Sequence, residues 1–257
     1  MKVGAMNNPF RPLADELRRI AAAGFDYVDL TLEPPGAWPV APEEVRALVG
    51  ETGLGVVGHT AWYLPVASPF PPLRAAARAA FLEAADALAT IGATYVTLHP
   101  DPVTRSYPRA QTVAGNAEAV AELARAAAER GLTLMVENMG RSFGTAAELA
   151  PLLEADRAVG FHLDVGHAHL AGDTTDELLA AFGDRLAHVH VSDNFGVDDL
   201  HLPLGAGSIA WGDVVEALHR VGYDGTVTLE VHSPELHHVE VSLRLWREWW
   251  AAGSGRK

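Results

Sequence analysis

Short β-type runs alternate with longer helix-period segments from one end of the chain to the other, and the alternation never breaks. The runs are KVGAM (2–6), FDYVDLT (25–31), LGVVG (54–58), TYVTL (94–98), LTLMV (132–136), AVGFHL (158–163), LAHVHV (186–191) and TVTLEV (226–231). In the segments between them, such as Pro12–Ala23, Leu73–Ile91 and Gly115–Arg130, Ala, Leu and Val recur at steps of three and four. These helical segments stop near Gly24, Gly92, Gly131 and Gly222, since glycine takes the left-handed backbone that ends a helix. Strands each separated by a helix run parallel, so eight of them without a linker predict a single domain over 1–257, an α/β fold of (β/α)8 TIM-barrel type. A doubly wound open sheet is the alternative, but no glycine-rich dinucleotide turn follows the first run.

Composition removes several kinds of chemistry. The 257 residues include no Cys, which excludes disulfides, thiolate metal sites and cysteine nucleophiles. Thirty-three acids against 19 bases give a net charge of −14, which repels nucleic acid overall while leaving a local basic patch open. No apolar run approaches the roughly 18 residues of a membrane span, and Met1–Phe10 has no signal-peptide core, so a cytoplasmic protein is expected. EPPGAWPVAPEE (33–44) and SPFPP (68–72) read as proline-rich loops. Trp246, Trp249 and Trp250 share a helix face, expected to pack on the barrel wall, with a homo-oligomer contact as the lesser reading.

The chemistry-bearing residues sit at the ends of the runs. The third run leads into His59, the fourth into His99, the fifth into Glu137, and the sixth into Asp164 with His167 three residues on. The seventh carries His190, the loop after it holds Asp199 and His201, and the eighth contains Glu230. In a closed barrel these ends converge on one mouth. A single histidine there is most simply a hydrogen-bonded rim residue, but so many carboxylates at one level repel one another unless a cation lies between them. The pattern therefore predicts a divalent metal, with Zn, Mn, Mg, Fe and Co all compatible with His/Asp/Glu ligands. Glu137, Asp164, His190 and Glu230 make one group. His59 and His99 make a second that shares Glu137. His167, Asp199 and His201 make a third, in which Asp-x-His is expected to place both side chains on one side of an extended segment.

HPD (99–101), VENM (136–139), DVGHAH (164–169), HVSDN (190–194), DLHLPLGAG (199–207) and LEVH (229–232) resemble the motifs of the xylose-isomerase-like barrel superfamily, over about residues 2–235. That superfamily includes sugar and sugar-phosphate isomerases and epimerases and the endonuclease IV apurinic-site nucleases. In its isomerase branch the resemblance implies one divalent ion on Glu137, Asp164, His190 and Glu230. Glu137 and Glu230 are then also the catalytic pair, on opposite faces of a sugar or polyol, exchanging protons beside its carbonyl through a metal-stabilised enediolate. His167 is implied to contact substrate oxygens. The arginine common in the loop after the seventh strand of that branch is missing from DNFGVDDLHLPLGAG (193–207). In the endonuclease IV branch the resemblance implies three zinc ions held by His59, His99, Glu137, Asp164, His167, His190, Asp199, His201 and Glu230, with HTAWY (59–63) also similar.

The isomerase or epimerase reading is preferred, because DNA binding needs a basic crescent around the mouth. The expected rim loops offer Arg105, Arg109 and Arg141 but no Lys, alongside the acids Glu33, Asp101, Asp193 and Asp198. Substrate contacts are expected from His167, from Trp62 stacking on a sugar face, from Glu33 to a hydroxyl, and from Arg141 to a phosphate. For each of the last three a rim-packing or salt-bridged side chain is the plainer reading. His188 and His162 share strand faces with His190 and Asp164 and are expected beneath the site. A silent barrel that binds metal or polyol without turnover is the third class, distinguished by activity alone. No serine lies in a nucleophile-elbow context.

Overall fold

The structure, a computed structural model, describes residues 1–233 and 235–254. Its strands β1 (Lys2–Met6), β2 (Tyr27–Leu32), β3 (Gly55–Thr60), β4 (Tyr95–Leu98), β5 (Thr133–Glu137), β6 (Gly160–Asp164), β7 (Leu186–Val191) and β8 (Thr226–Leu229) are parallel and pair in chain order. β8 returns to β1, so the sheet is a closed barrel. Around it run α1 (Leu13–Ala22), α2 (Pro42–Thr52), α3 (Pro71–Ile91), α4 (Arg109–Ala128), α5 (Ala146–Leu153), α6 (Val165–Leu170), α7 (Thr175–Phe182), α8 (Trp211–Arg220) and α9 (Leu236–Ser254). The expected (β/α)8 barrel is therefore the observed fold.

Boundaries differ from the sequence reading for physical reasons. Pro42 opens α2 and Pro71 opens α3 instead of belonging to loops, because a proline lacks only an N–H that the first helical turn leaves unpaired anyway. Glu230 lies one residue beyond β8, although its N–H still donates to the Val191 carbonyl at 3.2 Å. The predicted glycine stops hold: Gly24, Gly92, Gly131 and Gly222 all have positive φ.

Outside the barrel, Leu17, Ile20, Phe81, Leu88, Leu123 and Leu149 are wholly buried between helices and strands. Inside it, the lowest layer is apolar, with Tyr27, Val57 and Met135 in contact, and Tyr95 packed against them. Chain approach is tight at Gly58, where a Cβ would sit 2.6 Å from the Tyr95 carbonyl oxygen. Above that layer the inward side chains turn polar, and this is the level at which the site begins. Among the described residues no helix is long and apolar enough to cross a membrane.

The tryptophan face of α9 packs as expected. Trp246 is fully buried, meets Trp211 edge-on with centroids 6.1 Å apart, and donates its Nε1–H to Met1 Sδ at 3.2 Å. Trp249 stacks on Trp211 at 6.0 Å. Because Trp246 is a large side chain with no exposed surface, Trp246→Ala is expected to destabilise the protein by about 3–5 kcal/mol. A urea unfolding series on the variant checks this.

Candidate metal centre

Parallel strands deliver their C-terminal ends to one rim, and the candidate residues arrive there by that rule. His59 lies in β3, His99 just past β4, Glu137 and Asp164 at the last positions of β5 and β6, His190 in β7, and Glu230 just past β8. Asp164 is also the N-cap of α6, where it accepts the His167 N–H at 2.6 Å, so one residue shapes the turn that presents the next. Asn138 locks β5 to β6: its Oδ1 accepts the Asp164 N–H at 2.8 Å and its Nδ2 donates to the Asp164 carbonyl at 2.9 Å.

The loop after β7 is held by Asp193. This residue is fully buried and accepts hydrogen bonds from Gly205 N (2.8 Å), Ile209 N (3.2 Å) and Trp211 Nε1 (2.9 Å). It is thus an anchor rather than the rim charge expected from sequence. The loop brings Asp199 and His201 to the mouth, where both line the cleft, and His201, at φ 45°, departs from the extended backbone expected there. Asp199 Oδ2 lies 3.2 Å from His201 Nε2.

All nine expected metal-ligating residues converge. In the group Glu137, Asp164, His190 and Glu230, one ligand atom from each lies within 4.8 Å of the others. His167, Asp199 and His201 form another such group, and so do His59, Glu137 and His190. His99 Nε2 stands 3.0 Å from Glu137 Oε2 and its ring packs edge-on against His59, so the second expected group also assembles.

The histidines face this centre in a consistent way. His167 Nδ1 donates to the Asn138 carbonyl at 3.0 Å, leaving Nε2 toward Asp199 Oδ2 at 3.1 Å. His201 Nδ1 donates to the Glu230 carbonyl at 3.1 Å and likewise turns Nε2 to Asp199. His59 Nδ1 donates to Thr31 Oγ1 at 3.3 Å, Thr31 donates on to Glu33 Oε1 at 3.0 Å, and His59 Nε2 is left without a partner. A ring nitrogen tied back to a carbonyl or hydroxyl fixes the tautomer and aims the other nitrogen's lone pair at a ligand.

Electrostatics point the same way. Burial, partly offset by His167 and reinforced by the Glu230 and Glu137 carboxylates, pushes Asp164 up to about 7. Against their own burial, surrounding histidines hold Glu137 and Glu230 well below the usual carboxylate range. Burial lowers His190 and His167, but adjacent carboxylates more than reverse this and leave both raised well above the ordinary imidazole value. The buried atoms Glu137 Oε2, Asp164 Oδ2, His59 Nε2 and His99 Nδ1 have no hydrogen-bond partner. Orphaned acceptors of this kind, crowded at one level, fit a divalent cation with oxygen and imidazole ligands.

Above the centre opens a cleft of about 900 Å³, within the span typical of small-molecule sites. Glu33, Trp62, His167 and His201 line it, together with Tyr63 and Asn7. Trp62 is 62% exposed, a ring held at the rim with its surface uncovered. Arg141 is not brought to the cleft: it is exposed, pairs with Asp198 at 3.7 Å and donates to the Val197 carbonyl. Arg109 pairs with Glu148 at 2.6 Å, so these rim arginines are matched by acids.

His188 and His162 lie beneath the centre as expected, both fully buried. Facing them from β2 is Asp29, which sequence reading passed over. A lone carboxylate in the run YVDLTL, with every residue of β2 buried, was the available signal.

The sequence profile of a family described as "xylose isomerase-like TIM barrel" matches residues 17–251. An L-ribulose 3-epimerase of Methylomonas sp. (strain DH-1) is 29% identical over 252 residues, covering 90% of this chain and 82% of its own. A probable endonuclease 4 of Mycobacterium ulcerans (strain Agy99) is 28% identical over 225 residues, covering 81% and 85%. Among solved structures, a D-tagatose 3-epimerase-like protein superposes with a TM-score of 0.90 at 24% identity, covering 99% of this chain and 98% of its own. That last likeness concerns the fold.

Proposed function

The chain belongs to the xylose isomerase-like TIM-barrel family, and from that premise we propose that it is a divalent-metal-dependent sugar isomerase or epimerase, most simply one that inverts the carbon beside a ketose carbonyl. The observation that carries this reading is the pair Glu137 and Glu230, two buried carboxylates brought within 4.8 Å of each other at the floor of an open cleft. Glu137, Asp164, His190 and Glu230 would hold the ion. When bound, it supplies Lewis-acid polarisation of the sugar's carbonyl and neighbouring hydroxyl oxygens.

The chain's own groups supply the proton chemistry. Glu137 enters from β5 and Glu230 from the end of β8, so they reach a sugar lying across the mouth from different sides. One carboxylate takes the proton from the carbon beside the carbonyl, leaving an enediolate, and the other returns a proton to the same carbon from the opposite face. The group that abstracts must start ionised and the group that delivers must start protonated; after turnover the proton gained by the first leaves to solvent and the second is reprotonated from it. His167, fixed through Nδ1, presents Nε2 to substrate oxygens, while Trp62 and Glu33 meet the outer part of the sugar.

A second reading is favoured by one specific observation, the convergence of all nine residues into three adjoining groups. Three zinc ions there would suit phosphodiester hydrolysis at apurinic sites. The rim argues against it, because Arg109 and Arg141 are paired with acids and the net charge is −14. Metal content by mass spectrometry on chelator-free protein, followed by assays on ketoses and on an abasic-site duplex, separates the two. The expected result is bound Mn or another divalent ion with ketose turnover and no cleavage of the duplex. Nearly three zinc ions with duplex cleavage and no ketose turnover would install the second reading. Failure to take up any ion after reconstitution would sink both.

A further inference from the structure

Directly under the metal centre, inside the barrel, Asp29 Oδ2 gathers three hydrogen bonds. His190 Nε2 donates at 2.8 Å, His188 Nε2 at 2.9 Å and Thr228 Oγ1 at 2.9 Å. Asp29, His188, His190 and Thr228 are all fully buried. The strand register explains the meeting: His190 pairs with Thr228 and His188 with Thr226 across β7 and β8, while Asp29 reaches them from β2 across the barrel lumen.

Each donor is itself oriented. Thr228 gives its hydroxyl proton to Asp29, so Tyr27 OH donates to Thr228 Oγ1 at 2.9 Å. Thr226 Oγ1 lies 2.7 Å from His188 Nδ1 and donates there, which leaves the His188 proton on Nε2, facing Asp29. A carboxylate this deep, with Oδ1 lacking any partner, is costly unless its ionised form does something for its neighbours.

What it does is set His190. With Nε2–H committed to Asp29, the only lone pair of the ring is on Nδ1. That atom faces Glu230 Oε2 at 3.1 Å and Asp164 Oδ2 at 3.9 Å, two other members of the same four-residue group. The geometry points to Asp29 as a positioning residue that fixes the tautomer and angle of His190, so that Nδ1 is the nitrogen presented to a divalent ion. The inference rests on the metal-dependent reading above and concerns ion affinity rather than the reaction. Carboxylates behind ligating imidazoles make such ligands more basic, and their loss costs about 10–100-fold in metal affinity.

Two measurements test it, neither of them activity. The first uses wild-type protein alone: imidazole 15N NMR of the zinc-loaded chain, with His190 assigned by its loss in His190→Gln. The expected result is a zinc-coordinated Nδ1 and a protonated Nε2. The second compares Zn2+ and Mn2+ affinity of wild type and Asp29→Asn by competition with a chelating dye, with the melting curve recorded alongside. Asp29→Asn keeps the side-chain shape and is expected to bind about 10–100-fold more weakly. Coordination through His190 Nε2 in the wild type would overturn the proposal even if the variant failed to fold. Equal affinity in a folded Asp29→Asn protein would overturn it too. A wild-type chain that bound neither ion would instead remove the metal-dependent reading, and with it any ligand for Asp29 to position.

Discussion

Glu137→Gln and Glu230→Gln are each expected to lower turnover on the true substrate by about 10²–10⁴-fold, the range a positioned acid–base group contributes. Glutamine keeps the size of the side chain and a carbonyl oxygen but cannot carry a proton between substrate and site. The two variants should also be complementary. A two-base epimerase lacking one base can still remove the proton that faces the other. In D2O, therefore, one epimer should exchange its proton in Glu137→Gln, and the opposite epimer in Glu230→Gln, with neither variant completing the inversion. Metal content measured on the same samples separates loss of the base from loss of the ion. Near-wild-type rates in both variants would end the two-glutamate mechanism.

Removing the metal is the second large effect. With Glu137, Asp164 and Glu230 converging beside His190, the site without a cation holds crowded, partly orphaned groups. An ion present at 100 times its dissociation constant adds about 2.7 kcal/mol to stability. For a chain of this size that is about 5–10 °C in melting temperature. Chelator-treated protein should lose turnover and melt lower by that amount, and Mn2+ or Zn2+ should restore both. The pH dependence has a definite sign. Asp164, held up at about 7 when no cation is present, must lose its proton to ligate, and raised His190 must become neutral. Ion uptake therefore releases protons, and affinity should rise between about pH 6 and 8. An unchanged melting curve on chelation, or affinity falling over that range, would contradict the assignment.

The arrangement of the nine residues explains why the sequence was readable to this depth. A parallel barrel has one rim for strand C-termini, so His59, His99, Glu137, Asp164, His190 and Glu230 could be gathered without knowing a single distance. Asp199 and His201 were gathered on weaker grounds. Their loop returns to the mouth because buried Asp193 binds three donors further along it, and a local pattern does not reveal that the carboxylate is internal. Arg141 shows the converse, since its position after the β5 motif suggested a phosphate partner while the fold turned it outward to Asp198.

By itself, the sequence determined the alternation of eight strands with helices, the glycine helix stops and a polar rim of acids and histidines whose crowding a cation would relieve. These follow from periodicity and from the repulsion of like charges, both of which are local or nearly so. Only the tertiary structure decided which nitrogen of each histidine faces inward and that Asp29, 161 residues away from His190, stands behind it. Those contacts cross the lumen between strands that are remote in the chain. They depend on barrel closure and register, which bring β2 face to face with β7 and leave no trace in either strand read alone.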